Sequence, residues 1–187
     1  SSVKSVALSG INGIITSVEA DIRNGLPSFN MVGFLSTQVR ESGERVRAAV
    51  LNSGFYLEPK RILVNLSPAD IKKDGTSFDL AVAVAILAAQ LSLDNDYLLE
   101  TAFVGELSLS GEIKTVTGVL PMVSAAKEAG IRRFVLPVAN YREAKLVDGI
   151  EIIGVASLLE AIEAVQKRVE KGRTIDIEPA ISDDKKL

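Results

Sequence analysis

From Ile14 to Ile22, one set of positions (Ile14, Thr16, Val18, Ala20, Ile22) alternates with another (Ile15, Ser17, Glu19, Asp21), the period of a β-strand with two unlike faces. A shorter run, Val3 to Ala7, precedes it. Asn24-Gly25 and Pro27 interrupt the pattern, and Ser28 to Val32 reads as a third strand. The chain is therefore expected to open as an antiparallel β meander.

The period changes after Ser36, a good helix N-cap. Val39, Val46, Ala49 and Val50 fall on one helical stripe that stops at Ser53-Gly54. Arg61 to Leu66 is a compact β run, Ser67-Pro68 ends it, and Asp70 to Thr76 is a polar loop. Phe78 to Ala89 is apolar on nearly every side, with Asp79 its one charge, which predicts a fully buried helix. Phe103 to Ser108 and Glu112 to Val116 flank Leu109-Ser110-Gly111 as a hairpin would, with Gly111 free to take positive φ.

A helix with Pro121 in its first turn and Gly130 at its end comes next. Arg133 to Pro137 and Glu151 to Val155 read as strands. Asn140 with Glu143, and Ser157 with Glu160, have the spacing of capping boxes. The second of these opens a helix whose Leu158, Ile162, Val165 and Val169 share a face. The order is thus an α/β (α+β two-layer) chain, a meander followed by alternating β and α. Residues 1–168 are expected to form one domain and 169–187 a charged linker or tail, because no apolar periodicity survives past Lys171-Gly172.

Composition narrows the chemistry. The chain has neither Cys nor His, which removes disulfides, thiolate and imidazole metal sites, and the commonest nucleophile and base. A metal site would have to be built from oxygen alone. A net charge of -3 argues against a dedicated nucleic-acid module. The apolar runs are too short to span a bilayer, and the first ten residues lack the features of a signal peptide, so a cytoplasmic location is expected.

Three stretches together carry a family resemblance. The first is Gly25-Leu26-Pro27-Ser28-Phe29 with Val39-Arg40-Glu41-Ser42 and Glu44 to Ala49. The second is Asn65 to Asp70 with Asp74-Gly75-Thr76-Ser77-Phe78-Asp79-Leu80. The third is Gly105 to Leu109 with Gly118-Val119-Leu120-Pro121. In this order, over roughly Val3 to Val165, they resemble the amino-terminal domain of ComM/YifB-type Mg-chelatase-related AAA+ ATPases. The resemblance implies a Lon-protease-like fold of the ribosomal protein S5 domain 2-like class, ahead of an AAA+ motor. It further implies a hexameric DNA helicase acting in branch migration during natural transformation. ATP and magnesium would then belong to the motor, because no G-x-x-x-x-G-K-[ST] sequence occurs in this chain. The partners implied are that motor, neighbouring subunits of the hexamer, and DNA through the full assembly.

By the same resemblance, Asp74-Gly75-Thr76-Ser77 is similar to the segment that carries the Lon nucleophile, whose hydroxyl is activated by a lysine. In the matching segment Leu120 stands where that lysine would be, so the dyad is broken and no catalytic residue is expected. Lys127 lies seven residues further along the same helix, roughly 10 Å by its rise. Lys72 and Lys73 are expected in a solvated loop. Ser77 is read in preference as a helix N-cap. Asp70, Asp74 and Asp79 are the remaining oxygen ligands, but Asp79 is better used against a helix N-terminus, and neither a metal nor a cofactor is expected here.

Arg40, Arg45 and Arg47 are candidates for subunit or DNA contact. The alternative is a solvated face laced by pairs such as Glu41 with Arg45. The leading expectation is a non-catalytic assembly and binding domain. A serine hydrolase using Ser77 with an unrecognised base is the second, and an RNA-binding domain, by fold analogy alone, the third.

Overall fold

The computed structural model describes residues 1–171, with side chains through residue 166. Strands β1 (Ser2–Ser9) and β2 (Asn12–Arg23) form the expected antiparallel pair, in register from Ser2 opposite Glu19 to Ser9 opposite Asn12. Strand β3 (Ser28–Val32) departs from expectation. It pairs with β4 (Arg61–Ser67), and in parallel, so the opening is not a three-stranded meander. The reason lies in β4, whose Ile62, Val64 and Leu66 are buried and whose two edges are both used, against β2 and β3. A strand with that much to bury takes an inner place, and the shorter β3 is left at the edge. Parallel pairing needs a long crossover, which the intervening helices supply.

The crossover is two helices where one was expected: α1 (Thr37–Arg40) and α2 (Ser42–Asn52), divided at Glu41. Ser36 caps α1 as predicted, its Oγ accepting from the Val39 amide at 3.2 Å. Ser42 and Gly43, both poor helix formers, follow the break. The buried helix α3 (Asp79–Leu91) is as predicted, with every residue from Asp79 to Ala88 buried. A short α4 (Asn95–Leu99), capped by Asp94 through the amides of Asp96 and Tyr97, was not foreseen.

The predicted hairpin is split. Strand β5 (Thr101–Phe103) leaves it to join the main sheet, and only β6 (Glu106–Leu107) and β7 (Ile113–Lys114) form the ribbon, with Gly111 at φ +90° in its turn. Helix α5 (Val119–Glu128), strand β8 (Arg133–Pro137), helix α6 (Tyr141–Ala144), strand β9 (Glu151–Val155) and helix α7 (Leu158–Lys171) complete the alternation. Helix α7 runs past residue 168, and the rest of the expected tail lies outside the described residues.

Only one of the expected capping boxes forms. Ser157 Oγ accepts from the Glu160 amide at 3.2 Å, and Glu160 reaches back to the Ala156 amide at 2.8 Å. Asn140 does not cap α6. It turns instead to Val116, taking its amide and giving to its carbonyl, both at 3.0 Å.

The main sheet has the order β3-β4-β2-β1-β5-β8-β9, and β2 alone runs against its neighbours. Period-two alternation divides the core between its faces. Val3, Ala7, Val18, Ala20, Ile62, Val64 and Leu66 meet α2, α3 and α7 in the larger cluster. Val6, Ala102, Val104, Phe134 and Leu136 meet α5 and α6 in the smaller one. Among the described residues, no helix is long and apolar enough to cross a membrane.

Candidate functional site

The segment between β4 and α3 is pinned at both ends. At the first, the Leu35–Lys73 bridge forms, with the Lys73 amide donating to the Phe34 carbonyl at 3.0 Å and the Ser36 amide to the Lys73 carbonyl at 2.9 Å. Lys73 is fully buried, which corrects the expectation of a solvated side chain. Its ammonium donates to the carbonyls of Pro68 and Gly33, and burial pushes its pKa below the ordinary lysine value despite the opposing influence of Asp70. Lys72 stays exposed. At the other end, the Ser77 carbonyl accepts from the Gly105 amide at 3.0 Å, and the Gly105 carbonyl accepts from Leu80 at 3.1 Å. The loop is thus laid across the start of β6.

A cleft of about 400 Å³ opens above that crossing. The Asp74–Ser77 turn forms one wall, Glu106 its end, and Thr115, Val116 and Thr117 the wall opposite. Leu8 and Met122 supply apolar surface. Thr76 Oγ1 donates to Glu106 at 3.0 Å and ties the first wall to the end. The Asn140 clamp on Val116 fixes the opposite wall. Asp74 accepts from the Gly75 amide at 2.8 Å, and this bond, with Ser36 and Lys72, holds its carboxyl below the usual carboxylate range. A larger hollow of about 580 Å³ lies by Ser2, Asp21, Leu63 and Leu99, but it gathers no reactive side chains.

Ser77 lies half-buried in the cleft. It is not the cap of α3: Phe78 occupies that position, no side chain caps the helix, and the Ser77 hydroxyl makes no hydrogen bond among the described residues. No amine lines the cleft with it. Leu120 sits on α5 away from the lining, where Met122 faces inward. The far end of Lys127 lies against Gly149. The Lys73 ammonium is spent on two carbonyls.

Below the cleft, Asp79 is buried and saturated. Arg45 Nε donates to Oδ2 at 2.9 Å and Nη2 to Oδ1 at 3.0 Å, Ser42 Oγ donates to Oδ1 at 2.6 Å, and the Leu107 amide donates to Oδ2 at 3.1 Å. The hydrogen bond to Asp79 raises the Arg45 pKa against the opposing effect of its own burial. Arg45 therefore joins α2 to α3 instead of pairing with Glu41 on a solvated face. Asp79 has no oxygen left to share with Asp70 or Asp74, both exposed. Arg40 and Arg47 are exposed and close no ion pair among the described residues. Nothing in the sequence marked Lys73 or Asn140 as the residues that shape this site, since burial of a lysine and a bidentate amide across 24 residues are tertiary facts.

Comparison with known proteins follows this layout. An uncharacterized protein of Mycobacterium tuberculosis is 46% identical over 154 residues, 82% of this chain and 31% of that protein. Competence protein ComM of Haemophilus influenzae is 38% identical over 161 residues, 86% of this chain and 31% of its own length. Lon protease 2 of Bacillus subtilis is 31% identical over 150 residues, 75% of this chain and 26% of the protease. The chain thus spans less than a third of the length of these relatives. The family model described as subunit ChlI of Mg-chelatase matches residues 18–140, a stretch that contains the buried helix, the cleft and both of its clamps, and the chain belongs to that family.

Proposed function

We propose that this chain is the amino-terminal, Lon-protease-like domain of a ComM/YifB-type AAA+ ATPase, of the ribosomal protein S5 domain 2-like fold class, and that it serves assembly and binding without catalysis. The observation that carries the reading is the isolation of Ser77. Its hydroxyl sits in a cleft that no amine or imidazole lines, and a serine without a base is a poor nucleophile. In this reading residues 169–187 lead into the motor, which holds ATP and magnesium, forms the hexamer and drives branch migration of DNA in the cytoplasm during natural transformation. The exposed Arg40 and Arg47 offer this domain's contact to a neighbouring subunit or to DNA.

The test is deletion of the domain from the full-length ATPase, with ring assembly followed by light scattering and strand exchange followed on branched DNA. Loss or weakening of assembly supports the reading; a truncated motor that assembles and migrates branches at full rate overturns it. A second reading, a serine hydrolase, has one observation in its favour: the Asp74 and Glu106 carboxylates share the cleft with Ser77. An ester hydrolysis that disappears in Ser77→Ala would support it, and one that persists would remove it.

A further inference from the structure

The cleft is concave, acidic and unfilled by the chain's own donors. Asp74 and Glu106 close no ion pair among the described residues. The nearest cations are engaged or displaced: Arg45 gives its guanidinium to Asp79 and to the Gln38 carbonyl, and Lys72 influences Asp74 only at a distance. Three hydroxyls, of Ser77, Thr115 and Thr117, line the same space and hydrogen-bond to nothing in the chain. Leu8 and Met122 form an apolar wall beside them. An anion would be drawn to the start of α3, but Asp79, Asp74 and Glu106 all oppose it there. The ligand that matches carboxylates, hydroxyls and an apolar wall in one cleft is a cation carried on an aliphatic stem.

We propose that this cleft is a receptor for an alkyl ammonium or guanidinium group, as on a lysine or arginine side chain of a bound polypeptide segment or on a free polyamine. The charge lies between Asp74 and Glu106, the remaining N–H groups donate to the hydroxyls, and the stem packs on Leu8 and Met122. Both carboxylates are acceptors only, and an ammonium or guanidinium is a donor only, so the pairing leaves no polar group opposed to its like. The proposal rests on reading the cleft as binding and non-hydrolytic.

The 187-residue chain is titrated with a capped hexapeptide bearing one central lysine, with its norleucine counterpart and with spermidine, while the amide resonances of Gly75, Ser77 and Val116 are followed. The lysine peptide is expected to bind at least about tenfold more tightly than the norleucine peptide, and to weaken by about tenfold in Glu106→Gln, in Asp74→Asn and at high salt. Both substitutions keep the acceptor used by Thr76 or by the Gly75 amide, so the fold is retained. Tighter binding by the peptide than by spermidine assigns a polypeptide source, and the reverse assigns a polyamine. Equal affinity for the lysine and norleucine peptides, or binding unchanged in both variants, overturns the proposal. Cleavage of the bound peptide would overturn the non-hydrolytic reading while leaving cation recognition intact.

Discussion

Arg45 grips Asp79 with two prongs, Nε to Oδ2 at 2.9 Å and Nη2 to Oδ1 at 3.0 Å, and so bolts the second helix to the first turn of the buried third. Asp79 has no exposed surface, so removing its partner leaves a carboxylate in the core with only Ser42 and the Leu107 amide to hold it. Arg45→Met is expected to lower unfolding free energy by about 3 kcal/mol, the scale for breaking a buried pair from one side. Arg47→Met, one residue pair along the same helix but exposed, should change it by less than about 0.5 kcal/mol. Urea denaturation of the two variants checks the contrast, and similar losses in both would refute it.

The burial of Lys73 should be visible as a pH dependence. Its folded pKa lies below the ordinary 10.5, so between the two values the unfolded chain binds more protons and stability rises with pH. The cost of a buried ammonium is fully present below the folded pKa and is relieved as pH climbs through it toward 10.5. Lys73→Met lacks this titration. The difference in stability between the native chain and Lys73→Met should therefore shift in favour of the native chain on going to alkaline pH, and a pH-independent difference would contradict it.

At the turn that Lys73 braces, Gly33 has φ +115°, and a Cβ there would stand 2.0 Å from the Leu66 carbonyl oxygen. Neither atom belongs to a flexible side-chain end, so Gly33→Ala has no cheap relief. Gly54 has φ +87° with nothing within 4 Å of its would-be Cβ, so Gly54→Ala meets only the left-handed backbone penalty. The expected loss is about 1 kcal/mol at Gly54 and several times that at Gly33. Thermal unfolding of the two proteins distinguishes them, and equal midpoints would show that the β3–α1 connection can move aside.

What could be read from the sequence was local. Periodicity located β1, β2, β4, β8 and β9 and the buried α3 within a few residues, because each buries a face of its own. It failed where position in the sheet decides the pairing. Strand β3 looks like the third member of a meander until β4 is known to claim both β2 and β3 as neighbours. The sites show the same division. Ser77 and the acidic loop were legible from local pattern, whereas Arg45 looked like one half of a surface pair because its partner Asp79 is 34 residues away. Lys73 looked solvated for the same reason: the carbonyl of Gly33, 40 residues back, cannot be seen from the loop.

Asn140 offers the sharpest test of a misread local motif. Had it capped α6, replacing it with Asp would be harmless, since Asp is as good an N-cap. In the structure its amide instead donates to the Val116 carbonyl at 3.0 Å while its oxygen accepts the Val116 amide, and the residue is only 6% exposed. An ionised Asp keeps the second bond and sets a buried negative charge against the carbonyl in place of the first. Asn140→Asp is therefore expected to cost about 1–3 kcal/mol at neutral pH. Protonation restores a donor, so the substituted carboxyl has a raised folded pKa, and part of the loss should be recovered as pH falls toward it. Loosening of the Val116 wall should accompany the loss, seen as faster amide exchange at Val116. A variant as stable as the native chain at neutral pH would return Asn140 to the role of a cap.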